Sequence, residues 1–332
     1  MKELIEGFAA QLEVALGIAA NAKLRTSGNT ITNIVVAGMG GSGIGGNLLT
    51  SWVFDDCKVP VTVSKSYDIP GFTGPNTLFL ACSYSGNTEE TTAAAEKAVQ
   101  AGAYVVAITG GGKMLQLTEK YGLDVVVIPS HANSPRASIG YSFVQLLNIL
   151  NFHGLTPANR LNEIQAAIDL IKSDETALKA EAELLAGKLQ GKLGIFYGDT
   201  KFDGVLLRNL QQIAENGKQL SHYNVFPEMN HNELVGWDYP RVAFENSVTV
   251  LLRSSFDHPR TSIRMDVCEE IFKKHSPEVY TLTAKGDSFI TQSIYVIHLL
   301  DWASYYLAVL NNVDPFPVEV INFLKEELSK HA

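Results

Sequence analysis

Ser83-Tyr84-Ser85-Gly86-Asn87-Thr88-Glu89-Glu90-Thr91 follows directly on the apolar run Leu78-Phe79-Leu80-Ala81-Cys82, and this junction decides the fold. The apolar run reads as a buried strand. The hydroxyl-rich stretch reads as a tight loop, and Glu89–Ala101 as the helix that opens on it. The same grammar occurs earlier, where Gly38-Met39-Gly40-Gly41-Ser42-Gly43-Ile44-Gly45-Gly46 follows Ile34-Val35-Val36-Ala37. A helix start offers unpaired N–H groups and the positive end of the dipole, so it favours an anion. Glycines let backbone approach closely, and hydroxyls add donors. Two such loops on neighbouring strands point to a ligand bearing a phosphate and several hydroxyls, such as a sugar phosphate.

Working outward, five apolar segments recur in the first half: Ile34–Ala37, Val59–Val63, Leu78–Cys82, Tyr104–Thr109 and Asp124–Ile128. They alternate with helix-like stretches at Asn47–Phe54, Glu89–Ala101 and Lys113–Tyr121. Short Val/Ile-rich strands alternating with helices predict an α/β unit, a parallel sheet covered on both faces. Ligands on such sheets bind beyond the carboxyl ends of the strands, where both loops lie. Ser138–Phe152 reads as an apolar helix, and His153-Gly154-Leu155-Thr156-Pro157 breaks it. Leu161–Leu189 reads as one or two helices. Strands follow at Leu193–Tyr197, Ser247–Leu252 and Val279–Leu282, with helices at Val205–Glu215, Phe289–Leu310 and Pro317–Leu328. The expected division is a first domain over 1–152 and a second over 153–332.

The 332 residues carry a net charge of −9, which argues against a nucleic-acid or acidic-membrane surface. It leaves a phosphorylated substrate open, because a local loop binds an anion on an acidic protein. Three cysteines, Cys57, Cys82 and Cys268, form no CxxC pair and fit a reducing cytosol. The first residues, MKELIEGFAAQLEVALGIAANAK, read as an amphipathic helix with interspersed acids rather than a signal peptide. No uninterrupted run of about 20 apolar residues is present, so no membrane span is expected.

Each loop has a rival reading. Gly38, Gly40 and Gly43 satisfy GxGxxG, but the strand Val59–Val63 ends in Ser64-Lys65-Ser66 where a dinucleotide site wants an acid. Lys65 would suit a 2′-phosphate, so an NADP reading stays open, as does a turn that only packs helix on sheet. No GxxxxGK[ST] exists, which excludes a nucleotide P-loop. In the second loop Thr88 precedes two acids and can cap the helix. One cap needs one hydroxyl, whereas Ser83, Ser85, Thr88 and Thr91 supply four, and that surplus favours phosphate.

These loops, in this order, resemble the sugar isomerase (SIS) superfamily. Ser134-Pro135-Arg136-Ala137 with Gly140-Tyr141, Glu215-Asn216, Pro227-Glu228-Met229-Asn230-His231-Asn232-Glu233, and Val313-Asp314-Pro315-Phe316-Pro317-Val318-Glu319 with Lys325 narrow the likeness. Together they resemble the bifunctional phosphoglucose/phosphomannose isomerases over nearly the whole chain. The resemblance implies two SIS-type domains, a homodimer with active sites near the subunit interface, and metal-free interconversion of aldose and ketose 6-phosphates without a cofactor. It implies that Ser83, Ser85 and Thr88 hold the phosphate and that Gly41 and Ser42 line the sugar. By the same resemblance Glu215 is the base, His231 opens the ring, Arg136 contacts the reacting sugar and Lys325 assists.

The chemistry fits those residue types. Aldose–ketose isomerisation moves a proton between C2 and C1 through a cis-enediol, and one carboxylate can take it and return it. A guanidinium stabilises the developing enediolate without titrating. A histidine has the intrinsic pKa for ring opening. Read singly, each has a duller role. Glu215 ends a helix, His231 sits in an Asn-rich turn, Arg136 follows a proline, and Lys325 looks like a solvated helix face. Asp257-His258-Pro259-Arg260 with Arg264 reads as structural or interfacial. His222, His231 and His258 lack the spacing of zinc ligands. A non-catalytic phosphosugar sensor is the alternative function, but it has no use for Glu215, His231 and Arg136 together. An amidotransferase of this superfamily would carry an N-terminal glutaminase cysteine, and the chain opens on a helix instead.

Overall fold

The computed structural model describes residues 1–132 and 134–330. A short α1 (Lys2–Glu6) and α2 (Phe8–Asn21) precede the first sheet. Its elements are β1 (Asn33–Ala37), α3 (Gly40–Trp52), β2 (Val61–Ser64), β3 (Thr77–Ser83), α4 (Glu89–Gln100), β4 (Tyr104–Thr109), α5 (Gly112–Tyr121) and β5 (Asp124–Val127). All five strands are parallel, in the order β2-β1-β3-β4-β5, with Val36 opposite Leu80. Then come α6 (Ile139–Phe152) and α7 (Arg160–Leu189), a single helix of 30 residues.

The second sheet is built from β6 (Leu193–Asp199), α8 (Asp203–Glu215), β7 (Ser221–Phe226), α9 (Arg241–Glu245), β8 (Ser247–Arg253), α10 (Pro259–Phe272) and β9 (Val279–Thr283). It too is parallel, in the order β7-β6-β8-β9. Helices α11 (Phe289–Leu310) and α12 (Glu319–Ser329) follow. The predicted α/β class with two parallel, helix-flanked sheets is the fold observed.

Strand periodicity explains how the sheets are covered. Ile34, Val36, Leu78 and Leu80 face a large core shared with α2, α3, α6, α7, α8 and α11. Their neighbours Val35, Ala37, Phe79 and Ala81 face α4 and α5, against Ala94, Ala98 and Met114. Successive strand residues thus serve opposite faces, and both faces are buried. Phe196 and Val250 of the second sheet join the same large core. Tyr197 and Leu251 face a third cluster with Met229, Trp237, Met265 and Phe272.

Several expectations change. The first glycine loop is itself helical from Gly40, not from Asn47. Strand β7 escaped prediction because Ser221-His222-Tyr223-Asn224-Val225-Phe226 is polar and half-exposed at a sheet edge. Helix α10 was hidden in the polar cluster, where His258 Nδ1 accepts from the Arg260 N–H at 3.1 Å and Pro259 occupies the first turn. Helix α11 is 22 residues long and holds an 18-residue window of mean hydropathy 1.3, so by length and composition it is long and apolar enough to cross a membrane. Thr291, Gln292, His298 and Asp301 interrupt it, so it is not the uninterrupted apolar run whose absence was read from the sequence. Here 78% of that window is buried within the protein, and the helix packs along α7.

Candidate active site

Strand β3 delivers its hydroxyl loop to the carboxyl edge of the first sheet. Gly86 has φ +71°, and a Cβ there would lie 1.7 Å from the Gly111 carbonyl oxygen, so only glycine fits. Ser83 is fully buried and donates its hydroxyl to Thr88 Oγ1 at 3.1 Å. Ser85 is exposed, and its Oγ accepts from the Asn87 N–H at 3.2 Å. Thr88 occupies the cap position of α4, yet its side chain makes no capping bond. The first-turn N–H groups of α4 have no intrahelical partner. Ser85, Thr88 and that turn form the open face of the loop, and Ser83 supports it from beneath.

The second glycine-rich segment meets this loop directly. Ser42 Oγ accepts from the Tyr84 N–H at 3.1 Å. A Cβ on Gly41 would lie 2.8 Å from the Pro135 carbonyl carbon and 2.9 Å from the Arg136 nitrogen. This glycine therefore allows the start of α3 to press against the 3-10 turn Pro135–Ala137 that carries Arg136.

Arg136 is only 6% exposed. Its Nε donates to Asn216 Oδ1 at 2.9 Å, and Nη2 donates to the Pro315 and Phe316 carbonyls at 2.8 Å each. Nη1 lies 3.4 Å from Glu215 Oε2. Burial draws the guanidinium below its ordinary pKa, and Glu215 opposes that. Beneath it, Arg208 Nη2 bonds Asp301 Oδ2 at 2.6 Å and the Arg136 carbonyl at 3.0 Å. Gln212 holds the other Asp301 oxygen at 3.0 Å, and Asn216 Nδ2 donates to Ser304 Oγ at 2.9 Å. Arg208, Gln212, Asn216, Asp301 and Ser304 are all buried and bond one another, while Arg208 Nε and Gln212 Oε1 find no partner among the described residues.

Glu215 closes α8 with its side chain 28% exposed. It faces a cavity of about 500 Å³ lined also by Lys218, Asp314, Pro317 and Val318. Lys218 Nζ donates to the Glu215 carbonyl at 2.6 Å. Lys218 and the buried network were missed in the sequence. The Glu215-Asn216 pair was visible there, but what it bonds lies about 80 to 100 residues away in the chain.

Two predicted residues are not gathered here. His231 is exposed in the 3-10 turn Glu228–His231, beyond β7. That turn packs through Met229 on the face of the second sheet opposite α8. The segment is pinned by Glu233, whose carboxylate accepts from Tyr197, from His222 at 2.9 Å and from Asn224 at 2.5 Å. Burial works against its charge, but those hydrogen bonds hold its pKa at about 2. Lys325 is exposed on α12, and no bond among the described residues joins it to Glu215 or Arg136.

The profile of the bacterial phospho-glucose isomerase C-terminal SIS domain matches residues 178–328. The bifunctional phosphoglucose/phosphomannose isomerase of Caldicellulosiruptor bescii is 38% identical over 339 residues, covering 99% of either chain. Its namesake from Aquifex aeolicus is 33% identical over 300 residues, covering 90% of this chain and 91% of that one. Among solved structures, the C-terminal domain of glucosamine-fructose-6-phosphate aminotransferase from Francisella tularensis superposes with a TM-score of 0.74 at 14% identity. It covers 95% of this chain and 96% of that one. Glucosamine-6-phosphate deaminase from Thermotoga maritima gives 0.65 at 13% identity, covering 94% and 96%. At such identities the two structures share the fold.

Proposed function

This chain belongs to the bifunctional phosphoglucose/phosphomannose isomerase family, and on that premise we propose that it interconverts glucose 6-phosphate, mannose 6-phosphate and fructose 6-phosphate through a cis-enediol. The observation that carries this reading is the Arg136–Glu215 contact at the wall of a cavity of ligand size.

Ser85, Thr88 and the first turn of α4 hold the phosphate, with Ser83 bracing Thr88. Gly41 and Ser42 line the sugar. Glu215 takes the C2 proton of the open aldose and returns it to C1, while the hydroxyl proton passes from O2 to O1. Arg136 Nη1 faces the carboxylate and so sits where the enediolate charge develops. His231 opens the ring, with Lys325 assisting at the ring oxygen. Because the turn that carries His231 packs through Met229 on the face of the second sheet opposite α8, a second copy of the chain supplies this histidine, and the working unit is a homodimer. The wall at Asp314–Val318 sets the room around C2 and C3 on which epimer choice depends. Three unpaired cysteines support a cytosolic location.

The test is direct. The purified protein, treated with EDTA and given fructose 6-phosphate, is expected to form both aldose 6-phosphates. Binding without turnover would favour the sensor reading instead.

A further inference from the structure

Three successive carbonyl oxygens, those of Pro315, Phe316 and Pro317, all end on cations flanking Glu215. Arg136 Nη2 takes the first two at 2.8 Å, and Lys218 Nζ takes the third at 2.5 Å. The same ammonium also holds the carbonyl of Glu215 itself. One side chain therefore ties the end of α8, which carries the base, to a segment about 100 residues further along. Lys218 does this from a backbone with φ +53°, the left-handed region where glycine or asparagine is the usual occupant. Its neighbour Gly217 would adopt that conformation freely, yet it is the lysine that does so. Strain of this kind persists where the surroundings enforce it, and it concentrates at functional sites. Burial and then the nearby Arg136 draw the Lys218 ammonium below its ordinary pKa, and Asp314, Glu215 and Glu319 oppose that.

We propose that Lys218 is a positioning residue for the isomerisation. With Arg136 it forms a two-cation clamp that holds Asp314–Val318 as a fixed wall beside Glu215. The proposal rests on the reading of Glu215 as the base, and it explains how that base keeps its aim at the end of a helix. The phosphate loop lies on another sheet, so loosening the clamp disturbs orientation more than affinity.

Three variants test it: Lys218→Met, which keeps the stem and removes the charge, Lys218→Arg, which keeps donors, and Glu215→Gln as reference. Lys218→Met is expected to lower kcat for fructose 6-phosphate about 10- to 100-fold, with KM changed less than about threefold. Lys218→Arg should restore most of the loss. Hydrogen exchange across 313–318 should quicken in Lys218→Met and stay at the wild-type rate in Glu215→Gln. Unchanged kcat, an effect confined to KM, or unaltered exchange in Lys218→Met overturns the clamp. Turnover retained in Glu215→Gln overturns the base assignment instead, and the exchange readout keeps the two failures apart.

Discussion

Arg136 Nη1 and Glu215 Oε2 stand 3.4 Å apart, although 79 positions separate the residues in the chain and they belong to units built on different sheets. The guanidinium is buried and held on its other edges by Asn216, Pro315 and Phe316, so it cannot swing away from the carboxylate. A fixed cation beside a base is what an enediolate requires.

Glu215→Gln keeps the size of the base and removes its ability to take a proton. A loss of about 10²- to 10⁴-fold in kcat is expected, with phosphosugar binding retained. Arg136→Lys should cost about 10²-fold, because an ammonium cannot reproduce the forked contacts to Asn216 and the two carbonyls. Steady-state kinetics on fructose 6-phosphate checks both, and near-normal turnover in either variant would remove that residue from the mechanism.

Thr88 occupies a cap position without making a capping bond, and its hydroxyl, which accepts from Ser83, keeps its own proton to donate to a ligand. Thr88→Ala should raise KM about tenfold while lowering stability by well under the ~1 kcal/mol that a capping threonine costs. Ser85→Ala should likewise raise KM first. Loss of stability with unchanged KM would return Thr88 to a purely structural role.

The turn that carries His231 packs through Met229 on one face of the second sheet, and α8, which ends at Glu215, packs on the other. Mixing inactive Glu215→Gln and His231→Ala chains, with subunit exchange, should therefore recover about one quarter of wild-type activity. Half of the dimers then pair the two variants, and each such dimer holds one site with both residues intact. Failure to recover activity from dimers shown to have exchanged would place both residues in the same subunit's site.

Asp257 is pushed up to about 6, first by burial and then by the charge of Asp199, against the Ser254 N–H that bonds it at 2.9 Å. Its folded pKa exceeds the ordinary value of 3.8, so the group costs stability increasingly as pH rises from about 4 to about 6. Asp257→Asn should raise the denaturation midpoint at pH 7.5 by the equivalent of about 1 kcal/mol, allowing for solvent screening. At pH 4 the two proteins should coincide. Equal midpoints at pH 7.5 would mean that Asp257 is not strained by its charge.

Alternation of apolar strand and helix, and the two hydroxyl- and glycine-rich junctions, were legible in the chain because they are local. A strand's period of two and a loop's composition need only adjacent residues, so the parallel sheets and the edge that carries the loops could be read directly. The Glu215-Asn216 pair could also be found, though not what it bonds. Tertiary packing alone decided the rest. It set Arg136 against Glu215, hung three carbonyls on Arg136 and Lys218, turned the Thr88 hydroxyl away from capping α4, packed the turn that carries His231 on the face of the second sheet opposite α8, and buried a helix of membrane-spanning length along α7. Each of those outcomes depends on elements distant in the chain meeting across a shared core, and neither composition nor periodicity encodes which buried polar groups will then be close enough to pair.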